Sequence, residues 1–253
     1  MSKVFVIDIN KCNGCYNCQL SCKDEHVGND WSPIAKPQPD TGHFWHRIEE
    51  HVQGSVPKVR VRYMHHICQH CDDAPCIKAC NSNAIYKRDD GFVIIDPEKC
   101  RGSRACVYAC PYGVIYFNTD LNIAQKCTAC AHLLDSGWTE PRCVQSCQTD
   151  ALVYGEESDL QDLISKAELL KPELGLGTRV YYIDAPNKYF IAGEVWNPEE
   201  DECLEGAIVT LFDAQGDKLA SLETDVFGDF WFERQEPGQY SLRIEMDGYI
   251  TKM

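Results

Sequence analysis

Apolar positions in the first 155 residues fall in short runs, with no long helical stripe among them. VFVID (4–8), GVIYFN (113–118) and ALVYG (151–155) read as single strands. AIYKRDDGFVIID (84–96) reads as a hairpin, two β-rich runs joined at an Asp-Asp-Gly turn. CIKAC (76–80) and CVYAC (106–110) each place two cysteines four residues apart, one helical turn, which predicts short helices behind the cysteine loops. Residues 23–60 form a long insertion. Its WSPIAKPQP is proline-rich and irregular, and the following GHFWHRIEE mixes aromatics with charge, as a surface loop or a docking segment would. Ser158 and Gln161 resemble a capping box that opens a helix through Leu170, with Leu160, Leu163, Ile164, Ala167 and Leu170 on one face; Pro172 and Gly175 end it. From about 179 the texture becomes β-rich: YFIAGEVW, GAIVTLFDAQGDKLASLET, GDFWFE and GQYSLRIEMDGY, with turns at Gly216, Gly228 and Gly238, predict a small antiparallel sandwich or barrel.

Composition changes this picture at one residue type. Of 16 cysteines, fifteen lie before residue 150, a density at which a metal or disulfide scaffold is the default. The start, MSKVFVIDINKC, has no apolar core or cleavage site, so no signal peptide is expected. No stretch approaches the roughly 20 apolar residues of a membrane span. The expectation is a cytoplasmic chain without direct membrane insertion, in which thiols stay reduced and bind metals; export together with a partner stays open. A formal net charge of −15 makes nucleic acid and anionic membranes poor partners.

The fifteen cysteines form four groups: Cys12, Cys15, Cys18 and Cys22; Cys68, Cys71, Cys76 and Cys80; Cys100, Cys106 and Cys110; Cys127, Cys130, Cys143 and Cys147. The third group, CRGSRACVYACP, follows the run C-x2-C-x2-C-x3-C-P, with Ser103 at the second ligand position. In two-cluster ferredoxins the last cysteine of each run ligates the other cluster, so groups must be paired. Groups two and three flank one hairpin and form a compact module; groups one and four form the other, around it. Four ligand sets follow. The first is Cys12, Cys15, Cys18 and Cys147; the second is Cys22, Cys127, Cys130 and Cys143. The third is Cys68, Cys71, Cys76 and Cys110; the fourth is Cys80, Cys100 and Cys106, with Ser103 at the possible vacant corner. The expected cofactors are three [4Fe-4S] clusters and a fourth that is most readily [3Fe-4S], because a hydroxyl competes poorly with thiolate for iron; a [4Fe-4S] with a non-cysteine corner or an empty site are the alternatives. Zinc would gain nothing from a third cysteine two residues on, and disulfides would need an oxidising compartment. His65, His66 and His70 read as solvated or hydrogen-bonding neighbours of complete four-cysteine sets, and Cys203 as structural.

The expected fold class is α+β: two interlocked ferredoxin-like modules of the 2×[4Fe-4S] type, then a small all-β domain. The outer module takes 1–58 and 119–155, the inserted one 59–118, a helix and linker 156–178, and the antiparallel β domain 179–253.

This four-group arrangement resembles the iron–sulfur subunits of molybdopterin enzymes of the dimethyl sulfoxide reductase family across residues 1–155. CRGSRACVYACPYGVIYFN is similar to the corresponding motif in the small subunits of nitrate reductase and ethylbenzene dehydrogenase, where a non-cysteine residue at the place of Ser103 accompanies [3Fe-4S]. DGFVIIDPEK, AQKCTACAHLLD, KPELG and TDVFGDFWFE resemble small subunits of the pyrogallol–phloroglucinol transhydroxylase and resorcinol hydroxylase type, although transhydroxylase lacks the counterparts of Cys80, Cys100 and Cys106. The C-terminal part resembles carboxypeptidase-regulatory-like domains. The resemblance implies a non-catalytic electron-transfer subunit with no catalytic residue of its own. Its partner would be a large subunit carrying Mo-bis(pterin guanine dinucleotide), and the complex would pass electrons to an external acceptor during anaerobic metabolism of polyhydroxylated aromatics. The alternative is a subunit linking a molybdenum enzyme to the quinone pool.

Overall fold

The computed structural model describes residues 2–252. The chain divides into two units, one running through His51 and from Arg62 to Ala185, the other comprising Val52–Val61 and the chain from Pro186 onward.

In the first unit the elements are β1 (Lys3–Asp8), α1 (Asn17–His26), the hairpin β2 (Arg47–Ser55) and β3 (Lys58–His66), whose tip belongs to the second unit, α2 (Pro75–Lys78), the hairpin β4 (Ile85–Lys87) and β5 (Val93–Ile95), and α3 (Ala105–Ala109). There follow the hairpin β6 (Tyr116–Asn118) and β7 (Ile123–Gln125), α4 (Ala131–Asp135), α5 (Arg142–Gln145), β8 (Leu152–Glu156), α6 (Gln161–Ile164), β9 (Glu168–Leu169) and β10 (Val180–Ile183). One mixed sheet has the order β8-β1-β10-β9. β1 pairs parallel to β10 (Phe5↔Val180, Ile7↔Tyr182) and antiparallel to β8 (Phe5↔Tyr154). Central position explains its unbroken apolar run: a strand covered on both faces has no polar side to alternate, and Val4 to Ile7 are all buried.

Phe5, Ile7, Ile67, Phe92, Leu152, Val180 and Tyr182 form the main core together with Cys18 and Cys143. A second core joins Ile85, Val93, Ile95, Ile115 and Ala124 to Cys71, Cys76 and Cys106, and a third joins Trp45 and Val114 to Cys22, Cys68 and Cys127. These thiols are therefore part of the interior itself, whereas Cys15 is exposed.

Two expectations need correction. The capping-box helix is only a 3₁₀ turn (Glu157–Leu160) followed by the four-residue α6, and the Ser158 hydroxyl turns to Asp159. Glu168 and Leu169 leave the helix to pair with Tyr182 and Tyr181, so sheet closure outweighs local helix propensity. Likewise Val180–Ile183, expected in the C-terminal β region, completes the first unit's sheet, because β1 otherwise exposes an unpaired edge.

The second unit contains β11 (Tyr189–Glu194), β12 (Trp196–Asn197), β13 (Glu202–Cys203), β14 (Ile208–Phe212), β15 (Lys218–Glu223), β16 (Asp229–Gln235) and β17 (Ser241–Glu245). Its sheets are β15-β14-β17, β11-β16 and β12-β13, around Val209, Leu211, Phe230 and Phe232. Two connections reuse one device, D-x-x-G-D: Asp213 Oδ1 accepts from the amides of Gln215 and Asp217, and Asp225 Oδ1 from those of Phe227 and Asp229. The hairpin tip joins this unit through the ion pairs Lys58–Asp229 and Arg60–Glu233, with Arg60 over the Trp231 ring at 5.6 Å.

Candidate metal centres

The cysteine loops repeat in backbone conformation. In Cys12-Asn13-Gly14-Cys15-Tyr16-Asn17-Cys18, Gly14 has φ +70° and Tyr16 +62°. In Cys100-Arg101-Gly102-Ser103-Arg104-Ala105-Cys106, Gly102 has φ +72° and Arg104 +60°. Helices α1 and α3 start one residue after Tyr16 and Arg104 respectively. Ser103 thus takes the place of Cys15 in a loop whose turn is otherwise kept, and both Cys15 and Ser103 are exposed. Groups two and four match in the same way: His70 (φ +46°) corresponds to Ala129 (+52°) and Asn83 to Asp150 (both +52°), while the prolines differ in register, Pro75 one residue before Cys76 and Pro141 two before Cys143. At Gly14 the requirement is also steric, since a Cβ would lie 2.2 Å from the Tyr63 ring.

The thiols meet in four places. Burial, and then Cys12, Cys147 and Cys15, pushes the Cys18 thiol up to about 12. Burial, and then Cys130, Cys22 and Cys127, pushes Cys143 well above the ordinary thiol range. Cys71 rises to about 12 through burial and the neighbouring Cys68, Cys76 and Cys110. Cys106 rises to about 11 through burial, Cys100 and Cys80. The Cys80 thiol is held below the ordinary range: burial raises it, but hydrogen bonds from Ser82 and the amides of Ala84 and Ile85 prevail. As bare thiolates the members of each group would repel one another, and buried like charges persist only around a compensating cation. Soft thiolates gathered in three sets of four and one of three fit iron–sulfur ligation.

The four places are strung in a row. Cys18 of the first adds to the repulsion at Cys143 of the second; Cys68 of the third does so at Cys127 of the second; Cys106 of the fourth does so at Cys76 of the third. Cys22, Cys127, Cys130 and Cys143 are all buried, whereas Cys15 and Ser103 open to the surface at opposite ends of the row.

Amide and side-chain donors face the sulfurs, as in sites where hydrogen bonding sets cluster electronics. The His70 amide reaches Cys68 Sγ at 3.5 Å, that of Ala129 reaches Cys127 Sγ at 3.4 Å, and that of Ala124 reaches Cys100 Sγ at 3.5 Å. The three histidines flagged by the sequence separate. His65 is buried, with Nε2 3.3 Å from Cys12 Sγ and Nδ1 2.9 Å from the Nε2 of buried His46; a thiolate at Cys12 can only accept, which calls for the tautomer protonated on Nε2. His70 is buried, with Nδ1 accepting from the Val93 amide at 3.1 Å. Neither is solvated. His66 lies half-buried beside Glu49. Cys203 is exposed on β13, its thiol donating to Glu194 at 3.4 Å.

Sequence reasoning missed Lys126, which is buried with its ammonium donated to the carbonyls of Val93 and Cys127 (3.1 Å to the latter). It also missed the hairpin at 47–66, although VRVRYM alternates at period two and carried the signal.

Comparison with known proteins points to the same class of cofactor. Residues 59–157 match the 4Fe-4S dicluster domain family, and residues 191–253 match the carboxypeptidase regulatory-like domain family. The chain is 40% identical to the pyrogallol hydroxytransferase small subunit of Pelobacter acidigallici, over 96% of this chain and 90% of the relative. It is 33% identical to a putative dimethyl sulfoxide reductase iron–sulfur subunit of Halobacterium salinarum, over 78% of this chain and 83% of that one. Identity to an arsenate respiratory reductase iron–sulfur subunit of a Shewanella species is 32%, over 70% and 94%. Among the described residues no helix is long and apolar enough to cross a membrane.

Proposed function

Because the chain belongs to the family of iron–sulfur subunits of dimethyl sulfoxide reductase-type molybdopterin enzymes, we propose that it relays single electrons between a molybdenum centre in a larger catalytic partner and an external acceptor, in a complex acting on polyhydroxylated aromatics. The observation that carries the reading is the closure of fifteen thiols into four neighbouring groups with one hydroxyl over, Ser103. The ligands we assign are Cys12, Cys15, Cys18 and Cys147; Cys22, Cys127, Cys130 and Cys143; Cys68, Cys71, Cys76 and Cys110; and Cys80, Cys100 and Cys106. The last site is assigned [3Fe-4S] and the others [4Fe-4S]; bis(pterin guanine dinucleotide) molybdenum belongs to the partner.

Iron–sulfur clusters supply one-electron chemistry, and the protein supplies spacing, burial and hydrogen bonds. Here the buried second group and the third, buried except at Cys110, keep water from the middle of the row, while the exposed ends at Cys15 and Ser103 are where electrons enter and leave. The likeness to the pyrogallol hydroxytransferase small subunit through the C-terminal β unit supports the aromatic substrate class and a docking role for that unit. Retention of Cys80, Cys100 and Cys106 supports net electron export over transhydroxylation. A second reading, a link to the quinone pool, draws on the Ser103 loop; copurification with a membrane-extracted haem protein would favour it.

The test is anaerobic purification with iron and sulfide analysis and EPR. Three four-iron cages and one three-iron cage hold about fifteen irons per chain, and the oxidised sample gives a [3Fe-4S] signal. Iron for three clusters only, with no such signal, overturns the assignment at Ser103. A zinc-only or colourless protein overturns the whole reading.

A further inference from the structure

The hairpin β2–β3 carries a second, sulfur-free group of metal-binding side chains that the thiol network leaves unused. Glu49 and His51 sit two residues apart on β2, and therefore on one face; His66 comes from the paired strand β3. One ligand atom from each lies within 4.8 Å of the others. Glu49 Oε2 is 3.1 Å from His66 Nε2, and Glu49 Oε1 is 3.7 Å from His51 Nε2. Both Nε2 atoms are shielded from solvent, yet neither makes a hydrogen bond of good geometry; they face the carboxylate without being aligned to it. Donors bonded to zinc at about 2.0–2.1 Å in a tetrahedral arrangement stand about 3.4 Å apart, so the imidazoles, each facing a different oxygen of the Glu49 carboxylate, need only small side-chain adjustments to reach one ion.

We propose that Glu49, His51 and His66 form a mononuclear site for a divalent cation of the zinc class, with three protein ligands and one open position. Two imidazoles and a carboxylate suit Zn²⁺ and neighbouring first-row ions, and contain no thiolate to draw iron–sulfur chemistry. Arg47 Nη1 lies 3.0 Å from Glu49 Oε2 and also bonds the Tyr116 hydroxyl. Its charge competes with a metal at the carboxylate, and Tyr116 offers it another partner when a metal binds. A cavity of about 250 Å³, lined by His66, Met64, Gln69, Tyr112 and Lys171, borders the His66 side of the group. The bound ion would cross-link the two strands just ahead of Cys68.

The test uses the full-length chain with its iron–sulfur content intact, stripped of loose metal with a mild chelator and dialysed anaerobically against ZnCl₂. About one zinc per chain is expected at low micromolar free zinc, without loss of iron. X-ray absorption at the zinc edge should show nitrogen and oxygen near about 2.0 Å and no sulfur near about 2.3 Å. His51→Ala and Glu49→Gln should each weaken zinc binding at least tenfold with iron, sulfide and visible spectrum unchanged, and Arg47→Ala should tighten it. His66→Ala is the fourth variant; should its closeness to Cys68 cost iron, His51→Ala decides. No stoichiometric zinc by about 100 μM, a sulfur shell around the zinc, or equal uptake by His51→Ala overturns the site.

Discussion

Replacing Lys126 by Gln should shift two of the four redox midpoints and spare the other two. The ammonium is buried, and both its hydrogen-bond acceptors are backbone carbonyls, so its charge is not spent on a carboxylate at close range. Its field instead pulls down the thiols of Cys76 and Cys127, one from the third thiol group and one from the second. A unit charge roughly 8 Å from an added electron, at an effective dielectric of about 20, is worth about 2 kcal/mol. With 59 mV corresponding to about 1.4 kcal/mol for one electron, removing it makes reduction about 90 mV harder. Potentiometric EPR titration of the holoprotein reads this directly. The midpoints of the second and third centres should fall by roughly that amount, while those of the first and fourth move by less than half as much. Lys126→Met should give the same redox shift and also destabilise the fold by about 1–3 kcal/mol, because the carbonyls of Val93 and Cys127 lose their donor. A uniform displacement of all four midpoints, or shifts under about 20 mV, would refute the reasoning.

Three further outcomes follow from single residues. Ser103→Cys supplies a fourth thiolate in a loop that already has the Cys12–Cys18 turn, so iron should rise by about one per chain and the oxidised [3Fe-4S] EPR signal should disappear. Gly14→Ala puts a methyl group 2.2 Å from the Tyr63 ring at a φ of +70°; the cost of strain and displacement should be about 2–4 kcal/mol of stability, seen as a lower thermal midpoint and loss of iron from the first site. His26 is pushed down to about 3 by burial and then by His132, so it stays neutral in the folded chain while the unfolded chain protonates it near 6.5. Stability therefore falls as pH drops below about 6.5, by about 1.4 kcal/mol at pH 5.5 from this residue alone; denaturant titrations at pH 7.5 and 5.5 should show a smaller difference for His26→Phe.

What the chain disclosed in advance follows from how local each constraint is. Ligand loops are local: C-x2-C-x2-C, a glycine at its third position and a helix behind it are written within seven residues, and the φ values at Gly14, Tyr16, Gly102 and Arg104 repeat accordingly. The 84–96 hairpin was equally readable, with Ile85 facing Ile95 across its turn. Non-local pairings were not. Nothing near Val180–Ile183 says that its neighbour is β1, some 170 residues earlier, and that pairing is also what pulled Glu168 and Leu169 out of the expected helix. Burial of polar groups was hidden for a related reason. A lysine in AQKC reads as solvated because most lysines are, and only tertiary packing puts Val93 and Cys127 carbonyls around it. The Glu49–His51–His66 group needed the β2–β3 pairing before its members could be seen together.

The enclosure of β1 between β8 and β10 also has a temporal side. A ribosome delivers Cys22 about 120 residues before Cys143, so at roughly 5–20 residues per second the early thiols stay unmated for about 6–24 seconds. Cys68 to Cys110, by contrast, emerge within about 2–8 seconds of one another at the same rates, roughly a third of that delay. Loading of iron should accordingly start in the middle of the nascent polypeptide, and its two ends are sewn shut last.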